Sequence, residues 1–158
     1  MFTVNHQTNR ISPVKTKRFS ELGFTERKHL QEWLAHEPSA LGEELLIIQK
    51  EFDGFDDTRE RLDLLALDKD GNLVIIENKL DDSGRDVVWQ ALKYASYCAS
   101  LTKAQIVDIY QQYLDRYEPV TREVDLLNAP ASASARICEF LDAPDLDELK
   151  LNLGNSQR

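Results

Sequence analysis

Three residues near the middle of the chain, Asp63, Glu77 and Lys79, are of the types that hold a divalent cation beside an amine. All three interrupt or end apolar runs. Asp63 lies within residues 62–67, and Glu77 and Lys79 end residues 73–79. A strand alternates its faces, so Leu73, Ile75, Glu77 and Lys79 share one side. Charges in such company are costly to bury unless they are paired or coordinate something. Glu-x-Lys alone fits equally a strand that ends in solvent. Asp63 adds the second carboxylate, and whether it meets Glu77 depends on the turn between the two strands.

That turn is Asp68-Lys69-Asp70-Gly71-Asn72, a strong hairpin signal. A two-residue turn at Asp70-Gly71 pairs Asp63 with Asn78 and sends Glu77 to the opposite face. A three-residue loop, Lys69-Asp70-Gly71, pairs Asp63 directly with Glu77, and Gly71 supplies the positive φ that such loops need. We expect the second register. Cross-strand neighbours on one face have Cβ atoms about 5 Å apart, and two carboxylates that close repel unless a cation or proton sits between them. Oxygen ligands with open coordination positions favour Mg²⁺ or Mn²⁺ over Zn²⁺. Such an ion activates water and stabilises charge on a phosphodiester. Lys79 beside it is suited to orient the water or to stabilise charge in the transition state.

The surrounding pattern supplies elements to hold these groups. A helix is expected after Asp82 or Ser83, running to about Ser100 with Val87, Val88, Ala91, Ala95 and Cys98 as its apolar stripe. Gln90, Lys93, Tyr94 and Tyr97 form a polar-aromatic stripe roughly opposite. Gln90 could reach the site backbone or a substrate phosphate, and Tyr94 could pack beneath the site; an ordinary amphipathic helix accounts for the same spacing. Upstream, Thr25 caps a helix carrying Leu30, Trp33 and Leu34 that Pro38 ends. A short turn over residues 41–44 precedes a strand within 45–52, and Gly54, Asp56 and Asp57 mark a loop. Downstream, Thr102 opens a helix with Ile106, Tyr110, Tyr113, Leu114 and Tyr117 in register, closed by Pro119. A small-residue linker at 129–135 leads to short helices near 135–141 and 145–151. Residues 1–20 lack periodicity; their cluster Lys15, Lys17 and Arg18 reads as a solvated arm or as a phosphate contact.

Length and composition bound these readings. The chain has 158 residues, 42% of them hydrophobic, which suits one domain with a true core. No apolar run approaches the roughly 18 residues that span a bilayer, and the polar start lacks a secretory signal. We therefore expect a soluble, cytoplasmic protein with no membrane partner. The net charge of −9 argues against a protein that simply coats nucleic acid. It leaves room for a carboxylate-rich cation site with a local basic strip. Cys98 and Cys138 have no CxxC partner and read as buried thiols.

Asp63, Glu77-x-Lys79 and Gln90-x-x-x-Tyr94, on a strand pair followed by a helix, resemble the PD-(D/E)XK nuclease superfamily. The strongest likeness is to NucS-like endonuclease domains, through residues 61–80 and Trp89-Gln90-Ala91-Leu92-Lys93-Tyr94, over about residues 25–100. The resemblance implies an α/β, restriction-endonuclease-like mixed β-sheet flanked by helices, with additional C-terminal helices. It implies metal-dependent cleavage of DNA, in repair or in defence against foreign DNA. Mg²⁺ or Mn²⁺ would be held by Glu43, Asp63 and Glu77, with Glu43 preferred over Glu44 as the upstream acid. Lys79 and Gln90 would serve catalysis beside the acids, and Lys93 and Tyr94 would meet substrate. Two departures stand out. Leu62 replaces the usual proline before the first acid, and no strand pattern follows the glutamine-bearing helix. We therefore expect an arm over residues 1–24, a nuclease-like core over 25–118 and a helical extension over 119–158 that continues in a longer protein. Alternatively a homodimer or a missing C-terminal domain completes the sheet. The other functional reading is a non-catalytic DNA-binding or protein-assembly module on a nuclease-like fold.

Overall fold

The computed structural model describes residues 1–54, 61–80, 86–117, 132–153 and 157. Their centre is a three-stranded antiparallel sheet in the order β3-β4-β5, with β3 at Leu46–Phe52, β4 at Leu62–Leu67 and β5 at Leu73–Ile76. β4 is the middle strand. From Leu64 to Leu67 it is fully buried on both faces, which is why its sequence runs apolar without alternation. The strand at 73–79 proves shorter than its pattern, because β5 ends at Ile76.

Helices cover both faces. Leu65, Leu67 and Leu73 belong to a core shared with Tyr94 and Cys98 of α2 (Asp86–Cys98), Ile106, Tyr110 and Leu114 of α3 (Lys103–Tyr117), and Ala133 and Ile137 of α4 (Ala133–Phe140). On the other face Leu64, Ala66 and Val74 pack with Leu34 and Ala35 of α1 (Gln31–His36). The layering is therefore helix, sheet, helix, as expected. The mixed sheet is not found: every described strand pair is antiparallel. A parallel pair needs a crossover to a later strand, and among the described residues no strand follows α2.

Other local expectations are corrected. Residues 1–14 form a hairpin of β1 (Phe2–Asn5) and β2 (Arg10–Pro13). Thr25 does not cap a helix through its hydroxyl. It is extended, and its backbone N–H donates to His29 Nδ1 at 3.0 Å. A π-helical turn over Glu26–Leu30 then leads into α1. The short turn expected over 41–44 sits earlier, as a 3-10 turn at Pro38–Leu41. Thr102 does open α3, with Gln105 Oε1 accepting its N–H at 2.9 Å. The caps Asp82 and Ser83, the loop acids Asp56 and Asp57, the stop at Pro119 and residues 129–131 of the linker lie outside the described residues. No described helix is long and apolar enough to cross a membrane.

Candidate active site

The turn decides the site. Asp68 N–H donates to the Asn72 carbonyl at 3.0 Å, and Gly71 has φ +77°. The loop is thus Lys69-Asp70-Gly71, the three-residue form. Asp68 stabilises it by accepting the N–H groups of Asp70 and Asn72 on Oδ1, each at 2.9 Å. The ladder then runs Leu67↔Leu73, Ala66↔Val74, Leu65↔Ile75 and Leu64↔Ile76. One step further in this register, Asp63 stands opposite Glu77, as expected from the turn.

A bulge on the other side of β4 adds an acid that sequence reasoning missed. Leu46↔Leu67 and Ile47↔Ala66 are followed by Gln49↔Leu65 and Lys50↔Leu64, so Ile48 is the extra residue. Without it Lys50 would lie opposite Asp63. With it, the position between Lys50↔Leu64 and Phe52↔Leu62 falls to Glu51. Glu51 and Glu77 thereby both come near enough to Asp63 to raise its carboxyl. Glu51 adopts φ +53°, in the left-handed region.

Each acid is held differently. Asp63 Oδ2 accepts the Asn78 N–H at 2.8 Å. Burial pushes the Asp63 carboxyl up to about 6; the Asn78 N–H and the Lys79 charge pull it down, while Glu77 and Glu51 raise it. Glu77, whose side chain is 8% exposed, accepts Lys79 Nζ on Oε1 at 2.7 Å, and its Oε2 is buried without a hydrogen-bond partner. Burial alone would lower the Lys79 ammonium, but the Glu77 bond and the charges of Glu77, Asp63 and Glu26 outweigh it and leave it raised. Glu51 Oε2 meets Arg27 at 2.7 Å and Arg61 at 3.8 Å, while its Oε1 is buried without a partner.

Neighbouring elements brace the site. Buried Gln31 of α1 donates to the Asp63 carbonyl at 3.2 Å. Glu26 accepts the Leu80 N–H at 3.0 Å. From the opposite layer, Tyr94 donates its hydroxyl to the Arg61 carbonyl at 3.0 Å, just before β4. Tyr94 is thus buried and bonded to backbone, not placed to meet substrate as the resemblance implied.

Two other expectations are corrected. Glu43 precedes β3 at the end paired with Leu67, whereas Asp63 lies toward the end paired with Phe52. The length of the strand separates them, and Glu43 is exposed. Its neighbour Glu44 pairs with Lys69 of the turn at 3.7 Å. The apolar stripe expected on α2 holds in part: Cys98 is buried and Val87, Ala91 and Ala95 are half-buried. Tyr94 and Cys98 are its buried residues, Gln90 is half-buried, and Val88, from the expected apolar stripe, is exposed with Trp89 and Leu92. Tyr94 has a backbone carbonyl as its partner and so can be buried. Lys93 lies on the exposed side, with its ammonium 5.9 Å from the centre of the Tyr97 ring.

The donor chemistry suits a hard cation: oxygen ligands, two of them buried and unpartnered, among three carboxylates. In the observed side-chain placement the Lys79 ammonium is the positive partner of Glu77. Among the described residues no three His, Cys, Asp or Glu side chains are gathered closely enough to hold an ion. Compared with known proteins, the chain matches no family, no curated protein and no solved structure. The likeness to PD-(D/E)XK nucleases therefore rests on these residues alone.

Proposed function

We propose that this chain is a Mg²⁺- or Mn²⁺-dependent endonuclease acting on DNA phosphodiester bonds, built on a restriction-endonuclease-like sheet. The observation that carries the reading is the register of β4 and β5. It supports a shared role for Asp63 and Glu77 with Lys79 alongside. Asp63 and Glu77 would hold the ion, with Glu51 the nearest third acid. The ion, when bound, supplies a Lewis acid that activates water and offsets charge on the phosphate.

The chain's own groups have separable tasks. Asn78 N–H fixes one Asp63 oxygen and leaves Oδ1 for a ligand. Asp63 must shed its proton to bind a cation, so binding weakens as pH falls through about 6. Lys79 keeps its proton at neutral pH, which suits it to donate to the attacking water or to a phosphate oxygen rather than to act as a base. Tyr94 and Gln31 hold the backbone on which Asp63 sits. Gln90, on the half-buried side of α2, is a positioning residue in this scheme, and Lys93 offers a phosphate contact. Cleavage of single-stranded, double-stranded and branched DNA, titrated with Mg²⁺ and Mn²⁺, tests the reading. Asp63→Ala and Lys79→Ala should each abolish it, and retained cleavage in either variant would reject the assignment.

The Lys79–Glu77 ion pair favours a second reading, in which the ammonium substitutes for a metal and the fold serves as a DNA-binding or assembly module. DNA binding that falls with salt yet is unchanged by a chelator, without cleavage, would select it.

A further inference from the structure

Gln31 occupies a position on α1 that its neighbours mark as apolar. Leu34 and Ala35, three and four residues on, pack against the sheet, and Gln31 is itself buried, 2% exposed. Its Nε2 donates to the Asp63 carbonyl at 3.2 Å. A carbonyl only accepts, so the amide cannot be turned round, and its Oε1 is fixed as an acceptor. That Oε1 is buried without a hydrogen-bond partner. A polar atom so placed loses its hydration and regains nothing within the fold, and such atoms are rare enough in folded proteins to need a reason.

Three more buried side-chain atoms lack a partner among the described residues: Glu51 Oε1, Glu77 Oε2 and Asn78 Nδ2. All belong to residues grouped about Asp63. Glu77 stands opposite it, one step beyond the Leu64↔Ile76 pair. Glu51 and Glu77 both lie near enough to raise its carboxyl, and the Asn78 N–H meets its Oδ2 at 2.8 Å. The set is three acceptors and one donor, so what would satisfy it is rich in donors. Lys79 and Arg27 do not, because each meets the other oxygen of its glutamate. The negative charge of three neighbouring acids favours a cation over a neutral guest. A bare ion needs its ligands drawn close around it, and no three acid, histidine or cysteine side chains among the described residues are so gathered. Mg²⁺, however, sheds water reluctantly and keeps much of its shell. Waters on a cation turn their hydrogens outward, so they reach acceptors that the ion does not touch. A neutral amide oxygen serves there as a carboxylate does.

We infer that Gln31 is a positioning residue for a hydrated divalent cation, its Oε1 accepting from a water on the ion while its Nε2 holds the Asp63 backbone. Glu51 and Glu77 take waters of the same ion on their buried oxygens. The inference rests on the cation site proposed above, and not on what that site does to DNA.

Isothermal titration calorimetry of the full chain with Mg²⁺, without DNA, tests this. Wild type should bind Mg²⁺, and hexaamminecobalt(III) should compete for the same site, because it presents outward N–H donors and does not exchange its ligands. Gln31→Met removes both the donor and the acceptor of the amide, whereas Gln31→Glu removes the donor and keeps an acceptor. Mg²⁺ affinity should fall at least about tenfold in Gln31→Met and hold or rise in Gln31→Glu. Equal losses in the two variants would reduce Gln31 to a brace for the Asp63 backbone and overturn the inference. Wild type that binds no Mg²⁺ would overturn it too, as would Mg²⁺ binding with no competition from hexaamminecobalt(III), an arm that depends on neither variant folding. The expected binding pattern without any cleavage of DNA would keep this inference and defeat the endonuclease reading. Mg²⁺-dependent cleavage with wild-type Mg²⁺ affinity in Gln31→Met would do the reverse.

Discussion

Asp63 is the residue at which folding and the proposed chemistry conflict. Its carboxyl titrates near 6 in the fold against an ordinary value of 3.8. The folded state thus binds the proton more tightly than the unfolded chain. This contribution is fully present below about pH 4 and drains away as pH rises to about 6. Asp63→Asn removes the cost of ionisation and should stabilise the protein at pH 8 by about 1 kcal/mol, after allowance for solvent screening. Urea unfolding at pH 8 and pH 4 checks this: the advantage should close at the lower pH while activity is lost throughout. Lys79 acts on the same titration. Its charge pulls the Asp63 carboxyl down, so Lys79→Met should move the Asp63 midpoint above 6 in a carboxyl NMR titration. An unmoved midpoint would show that the ammonium does not reach it.

At the scale of elements, a turn and a bulge bring Glu77 and Glu51 to Asp63. Gly71 has φ +77°, and a Cβ there would lie 3.0 Å from the Lys150 carbonyl and 3.2 Å from Leu151 Cδ2. Gly71→Val should therefore cost on the order of 1–3 kcal/mol in unfolding free energy, through backbone strain and crowding together. The Ile48 bulge makes a sharper prediction, because it selects Glu51 over Lys50 as the residue opposite Asp63. Glu51→Gln should lower cation-dependent cleavage at least about tenfold, as for groups that support a metal site, whereas Glu43→Gln should leave it near wild type. Equal effects of the two, in steady-state cleavage across a Mg²⁺ titration, would remove Glu51 from the site.

Across the whole molecule, the last described segment ties the turn to the helical layer. Asn152 N–H donates to the Gly71 carbonyl at 2.9 Å. Its side-chain Nδ2 donates to the carbonyls of Cys98 at 3.0 Å and Leu101 at 2.9 Å, at the end of α2. Lys103 Nζ meets the carbonyls of Leu146 and Leu149 at 2.8 and 3.1 Å. The hairpin that carries the candidate site is thus fastened to the C-terminal end of α2 through one asparagine. Asn152→Ala leaves buried carbonyls without donors and should cost about 2 kcal/mol in urea unfolding. Asn152→Gly keeps the left-handed backbone, which Asn152 adopts at φ +54°, and should lose a similar amount if the side-chain bonds are what matter. Burial likewise raises the Cys98 thiol to about 12, consistent with its reading as a packed, unreactive group.

The sequence by itself determined what depends on near neighbours. Apolar runs bounded by turn residues marked β4 and the β4–β5 hairpin, and the choice between two loop lengths fixed Asp63 opposite Glu77. Helical spacing likewise marked the body of α3. Tertiary structure alone decided what depends on distant partners. The bulge at Ile48 follows from how β3 lies along β4 and brings in Glu51, while Glu43 is excluded because it precedes the far end of the same strand. The burial of Tyr94, whose hydroxyl meets the Arg61 carbonyl, was invisible in the helix's own periodicity, although Cys98 of the expected stripe is buried as read. The hairpin at residues 1–14 was missed because its alternation is short and its apolar face meets no core among the described residues.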